Sequence, residues 1–234
     1  MIKDIIDSKY KVLLDNNHET MVNINNHILR FIKSSHKYFI DGVEVPPVSQ
    51  ILKYNLEDIY KDIDKKVINI ASKRGEFLHL EIENYEKNNI LGYSKEFKNY
   101  LEIKEKYHIN SIKNELFIIY MNGNVPFFAG RLDLLYSRDN KLGILDFKRT
   151  KDFYEDRVRL QLNLYKMAFT QSFGIDINEL ACIRLREEIK EFIPIKIDML
   201  ESIDAIDSYK MRKNRKWLYV KNWFNEIFIW FRSR

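Results

Sequence analysis

Cysteine is almost missing from this chain: Cys182 is the only one in 234 residues. A lone thiol excludes a disulfide framework and any all-cysteine metal or iron–sulfur site within the chain. It fits a reducing compartment, so a cytoplasmic setting is expected. Glycine (7) and proline (4) are also scarce, which argues against long disordered linkers. No apolar run approaches the roughly 20 residues of a membrane-spanning helix, so no membrane association is expected. The stretch Met1 to Leu14 carries Asp4 and Asp7 and has no apolar h-region, so no secretory signal is expected.

What remains is the mixture of a soluble protein, 45 % apolar and 31 % charged, long enough to bury a core. Basic residues exceed acidic ones by 39 to 34, a net charge of +5 that permits a polyanionic partner without demanding one. There is no internal repeat or low-complexity tract. The chain reads as one domain in three stretches: a helical and hairpin extension over 1–70, a core over 71–197, and a helical segment over 198–234.

The stretch up to Lys37 is ambiguous between helix and loop. Lys37 to Val45 reads as a hairpin around Asp41-Gly42, ended by Pro46-Pro47. A short helix is expected over Gln50–Tyr54, a longer one over Asp64–Lys87 with Gly75 inside it, and another over Ser94–Tyr107 with Ser94 as N-cap. The pattern then changes to strands. Glu115–Tyr120, Val125–Tyr136 and Leu142–Lys148 form an expected antiparallel meander with turns at Met121–Asn124 and Arg138–Lys141. Asp156–Phe173 is an amphipathic helix stopped near Gly174, and Leu180–Arg186 and Phe192–Ile197 are two further strands. The sum is an α/β or α+β fold, with a mixed central sheet flanked by helices and helical additions at both ends.

The meander holds the most informative residues. Strand side chains alternate faces, so Asp146 and Lys148 share one face, and Arg131 and Asp133 share one. If Asp139-Asn140 is a two-residue turn, Arg138 pairs with Lys141 and Asp133 falls opposite Asp146. Opposed residues have Cβ atoms roughly 5 Å apart. Two carboxylates that close repel unless one is protonated or a cation lies between them. Mg²⁺, a hard ion content with carboxylates, water and phosphate oxygens, is a natural occupant. Lys148 beside it could orient a water or offset charge on a phosphate. The plainer reading is a set of solvated strand residues.

Gly130-Arg131-Leu132-Asp133, then Asp146-Phe147-Lys148, then Gln161-Leu162-Asn163-Leu164-Tyr165 on the next helix resembles the PD-(D/E)xK nuclease superfamily. The Gln-x-x-x-Tyr element, with Arg74-Gly75-Glu76-Phe77-Leu78-His79 upstream, is similar to its RecB-like branch with the λ-exonuclease-type relatives. Val43 to Leu52 resembles the lead-in of small phage-encoded members, for which the host cytoplasm would be the location. The resemblance implies a restriction-endonuclease-like core that cleaves DNA with one or two Mg²⁺ or Mn²⁺ ions and has no iron–sulfur cluster. It implies metal ligation by His79, Asp133, Asp146 and the Phe147 carbonyl, with Glu115 as a further ligand. Lys148 would be the catalytic lysine, acting with Asp133 and Asp146, and Gln161 and Tyr165 would organise the site.

Each of these residues has an alternative on its own. His79 can pair with Glu76 or Glu83 on a helix surface. Gln161 and Tyr165 can be ordinary positions of an amphipathic helix, and Glu115 a strand-edge charge. The resemblance favours an exonuclease acting on DNA ends or single strands in replication, recombination or repair, with a possible protein partner there. An endonuclease of the same fold and a non-cleaving DNA-binding module stay open. Arg74, Arg131, Arg149, Lys151, Arg157 and Arg159 are the expected phosphate contacts. Lys210 to Lys216, with Trp217, Tyr219, Trp223, Phe224 and Trp230, reads as a basic face beside an aromatic stripe. That stripe either packs on the core or stacks bases.

Overall fold

The computed structural model describes residues 2–57 and 59–212. After α1 (Ile2–Lys9) come five strands, β1 (Tyr10–Asp15), β2 (Glu19–Ile24), β3 (His27–Ile32), β4 (Lys37–Ile40) and β5 (Val43–Val45). Helices α2 (Val48–Asn55), α3 (Lys65–Asn88) and α4 (Lys95–Lys106) follow. Then come β6 (Asn110–Asn122), β7 (Val125–Arg138), β8 (Lys141–Lys148), α5 (Glu155–Phe173), β9 (Glu179–Arg186) and β10 (Ile189–Ile195). A last helix, α6, covers 199–212. The fold is α+β with helices flanking a mixed sheet, as the sequence indicates. None of the described helices is long and apolar enough to cross a membrane.

The first sheet corrects the reading of the N-terminal stretch. Residues 10–32, left between helix and loop, are three strands of a five-stranded antiparallel meander in the order β1-β2-β3-β4-β5. Asn25 and Asn26 both adopt positive φ, 48° and 70°, as do Asp41 and Gly42 at 50° and 82°. Paired left-handed residues make the type I′ turns whose twist matches the strands they join. β2 alternates half-buried and buried residues along its length, the pattern of a strand with one face on a core. β1 is the edge strand, and its Val12, Leu13 and Leu14 remain exposed.

The second sheet has the order β10-β9-β8-β7-β6. Only β8 and β9 run parallel, joined by the crossover helix α5; the other pairs are antiparallel. Its two faces are both covered. One packs with α5, α2 and the first sheet through residues such as Ile144, Leu164, Phe169 and Ile40. The other packs with α3 and α4 through Leu78, Phe97, Tyr100, Leu145 and Phe147. The first sheet is tied directly to β7, where Ala129 N–H donates to the Pro46 carbonyl at 3.2 Å.

Local chemistry sets the helix ends. The Asp64 side chain accepts from Lys66 N–H, and the Ser94 hydroxyl from Phe97 N–H. Asn89 and Gly174 close α3 and α5 in the left-handed conformation, at φ 55° and 70°. The aromatic positions from Trp217 onward, and the basic run beyond Arg212, lie outside the described residues.

Candidate metal centre and cleft

Three strands bring three acids into one row. The ladder between β7 and β8 runs from Arg138 opposite Lys141 to Leu134 opposite Leu145. One step further sets Asp133 against Asp146, the register that a two-residue turn requires. Between β6 and β7, Asn114 faces Leu134 and Leu116 faces Leu132, which sets Glu115 against Asp133. At this row the regular backbone pairing lapses. The Asp133 carboxylate accepts from Phe147 N–H at 2.8 Å, taking the donor of a β8 residue next to its own partner. Glu115 has φ 49° in the middle of a strand. That conformation costs a residue with a Cβ about 1–2 kcal/mol. Such strain persists only where the surroundings over-determine it, and it clusters at functional sites.

What over-determines Glu115 is visible around its carboxylate. Arg131 Nε is 2.7 Å from it, and His79 Nδ1 is 3.9 Å away. His79 also lies 3.7 Å from Asp133 Oδ1, while its Nε2 donates to the Phe147 carbonyl at 3.2 Å. His79, Glu115 and Asp133 each offer a ligand atom, and these atoms lie within 4.8 Å of one another. The three form a group able to hold a metal ion. Glu115, readable alone as a strand-edge charge, belongs to it. The Phe147 carbonyl, an expected ligand, is occupied by the imidazole in this arrangement.

Asp146 stands beside that group, turned toward the lysine. Lys148 Nζ is 2.7 Å from its Oδ2. Gln161, on α5, links these residues. Its Nε2 donates to Asp146 Oδ1 at 3.1 Å and to Tyr165 Oη at 3.2 Å, and its Oε1 accepts from Lys148 Nζ at 3.1 Å. Asp146 is 2 % exposed, with Lys148 at its Oδ2 and Gln161 at its Oδ1. Gly130 also has a physical reason: a Cβ there would lie 2.7 Å from Tyr165 Cε1.

The electrostatics follow from crowding. Burial raises the pKa of Asp133 and of Asp146, and the carboxylate nearest each adds to the rise; His79 and Lys148 oppose it. Burial alone would lower His79, but Asp133, Glu115 and Asp146 overcome it and push the imidazole up to about 9. Burial opposes the charge of Lys148 too, and Asp146 and Asp133 outweigh it, so its pKa is raised. Three carboxylates thus sit among three cations, His79, Lys148 and Arg131. A divalent ion held by these groups would take over the role of the imidazole's proton.

The group opens on a cleft of about 680 Å³. His36 of the β3–β4 turn, Tyr38 of β4, Val48 and Leu52 of α2, and Glu76 and Glu83 of α3 line it with the residues above. The sequence does not single out His36 or Tyr38, because nothing in a hairpin pattern says which neighbour it will face. Of the expected phosphate contacts, only Arg131 lines this cleft, and Glu115 holds it. Arg149 is paired with Glu96 at 2.8 Å, and Arg159 with Glu201 at 2.9 Å and Asp156 at 2.8 Å. Arg157 donates to the Glu57 carbonyl at 2.9 Å. These three are tied into the fold. Arg74 and Lys151 are exposed away from the cleft.

No protein-family model matches the chain, and no curated protein does. Among solved structures it is similar to one titled "Crystal structure of SSO0001", with a TM-score of 0.34 and 14 % identity. The match covers 70 % of this chain and 81 % of that one. A likeness at that level carries no argument about function.

Proposed function

We propose that this protein is a metal-dependent deoxyribonuclease that hydrolyses a DNA phosphodiester in the cleft beside Asp133, Asp146 and Lys148. The observation that carries the reading is the acidic row, joined by His79 on one side and by the Lys148–Gln161 pair on the other. Oxygen donors with one imidazole suit Mg²⁺ or Mn²⁺ better than a soft metal. His79, Glu115, Asp133 and Asp146 would hold one ion or two. A bound ion of this kind polarises a phosphoryl oxygen and lowers the pKa of a coordinated water.

The chain's own residues supply the remainder. Lys148 keeps its charge near Asp146 and offers an ammonium to a phosphate oxygen. Gln161 fixes both the lysine and the carboxylate, so their separation does not depend on substrate. Tyr165 closes the wall behind Gln161. Action on DNA ends or single strands, in replication, recombination or repair in the cytoplasm, is the form the family resemblance favours.

The test uses labelled linear and closed circular DNA with Mg²⁺ or Mn²⁺, and with EDTA. Metal-dependent shortening of linear DNA, abolished by Asp146→Ala and by Lys148→Ala, is expected. Activity that survives both substitutions overturns the reading. Cutting of closed circles replaces the exonuclease with an endonuclease, and DNA binding without cutting replaces both with a binding module.

A further inference from the structure

The face of α3 turned away from the cleft carries a second set of groups suited to a polyanion. Ser72, Glu76, His79 and Glu83 face the cleft, whereas Lys73, Arg74 and Phe77 line a separate hollow of about 300 Å³. At 3.6 residues per turn Arg74 and Phe77 fall on the side of the helix away from His79 and Glu83, and Lys73 lies on the flank between the two sets. Arg149, the neighbour of Lys148 in the chain, also lines the hollow with its charge met by Glu96, and the exposed Glu187 stands at the same hollow. Lys73 and Arg74 form no ion pair among the described residues.

Beside these cations stand two exposed rings. Phe77 and Tyr93 meet with centroids 5.4 Å apart at 54°. Phe77 is 39 % exposed and Tyr93 78 %. The loop that presents Tyr93 is held firmly from beneath. Glu81, 6 % exposed, accepts from the backbone N–H groups of Tyr93 and Ser94 at 2.8 and 3.0 Å, and from the Ser94 hydroxyl. Gly92 is packed so closely that a Cβ would lie 2.7 Å from the Phe97 ring and 2.9 Å from Glu81 Oε1. A buried carboxylate therefore fixes the backbone of a residue whose ring stands in solvent. The Tyr93 ring rests against Phe77 and is otherwise open to solvent.

We infer that this surface is a second nucleic-acid subsite for single-stranded DNA, with a base stacked on Phe77 and Tyr93 and the adjoining phosphates on Lys73 and Arg74. Aromatic faces flanked by basic side chains hold single strands without regard to sequence. The inference deepens the proposed function and takes from it only the choice of DNA as the polymer. A helix is about 10 Å across with its side chains, so a strand held here is separated by α3 from the strand at Asp133 and Asp146. It suits the complementary strand of an opened duplex end.

The test is binding of a labelled oligothymidylate to the full chain in EDTA, followed by fluorescence anisotropy. Phe77→Ala with Tyr93→Ala is expected to weaken binding about tenfold or more, with the thermal melt unchanged. Lys73→Ala should reduce the dependence of affinity on salt. An oligonucleotide carrying a photoreactive pyrimidine should cross-link to Tyr93. Wild-type affinity in the double variant, or cross-links confined to cleft residues such as Tyr38, overturns the inference. If DNA is never cut but binding still depends on Phe77 and Tyr93, the subsite stands and the nuclease reading falls. If cutting depends on Asp146 but the double variant binds normally, the nuclease reading stands and the subsite falls.

Discussion

The two sheets are made by the same kind of turn and put their buried positions to different uses. Asn25-Asn26 and Asp41-Gly42 in the first, and Asp139-Asn140 in the second, all place two successive residues at positive φ. In the first sheet that register aligns Val22 and Ile24 of β2, with Leu29 of β3 and Ile40 of β4, as core. In the second the same device aligns Asp133 with Asp146 as charge, and the left-handed backbone at Glu115 adds a third acid from β6. A slip of one residue would move either set to the opposite face. In the first sheet that mistake would cost packing; in the second it would also disperse a row of carboxylates. Buried charge is expensive unless paired, so the second sheet carries a cost the first does not, and the cost is concentrated at the cleft.

The largest effect that tests this contrast is Asp146→Asn. It is expected to lower cleavage by about a thousandfold, near the upper end of what a single charge-stabilising group contributes. The metal-free protein should melt close to the wild type, because relief of the repulsion from Asp133 offsets the loss of the pair with Lys148. A fall of several degrees in the melting temperature would mean the acidic row stabilises the fold, and the contrast would break. Ile24→Ala should do the reverse. It should cost about 2–5 kcal/mol in denaturant unfolding and leave metal affinity of the folded fraction unchanged.

A smaller effect is expected from Gln161→Ala, which leaves every proposed ligand in place. Loss of a residue that orients ligands typically costs about 10–100-fold in activity or metal affinity. Titration calorimetry with Mn²⁺ and a cleavage assay on one preparation would check it; no change in either would show that Lys148 and Asp146 position themselves.

The mildest effect is a drift with pH in the metal-free protein. His79 is raised from 6.5 to about 9 in the folded state. Its contribution to stability is full below about pH 6.5 and is lost as pH rises through 9. Asp133 and Asp146, raised above 3.8, act with the same sign from lower pH upward. Melting temperatures measured between pH 6.5 and 9 without metal should fall, and His79→Gln should flatten the slope. A slope of opposite sign would remove the electrostatic account of the row.

Much of the second sheet was legible because its signals are local. A turn of Asp139-Asn140 between two apolar runs determines the register, and the register determines the partner of Asp133. Ser94 as a cap and Gly174 as a stop are equally local. The first sheet gave weaker signals. β1 is an edge strand with Val12, Leu13 and Leu14 consecutive and exposed, so it lacks the alternation that marks a half-buried strand. The Asn25-Asn26 turn has no glycine to announce it. Glu115 was ambiguous for another reason: its direction depends on a left-handed backbone that no residue pattern encodes. The basic residues misled because their partners are tertiary. Arg149 finds Glu96 across 53 residues and Arg159 finds Glu201 across 42, and no local spacing reveals that an arginine is already taken.

The crossover through α5 has a consequence for timing. The β7–β8 hairpin closes through a two-residue turn, so Asp133 and Asp146 can be neighbours early in folding. Gln161 and Tyr165 join them only when α5 docks, and α5 is anchored by β9 lying parallel to β8. A chain leaving the ribosome therefore has its aspartates before it has the glutamine that disciplines them, and it gains that glutamine only when the slow, long-range pairing of β9 completes the sheet. The arrangement proposed for the cleft is therefore complete only once α5 and β9 have joined the sheet.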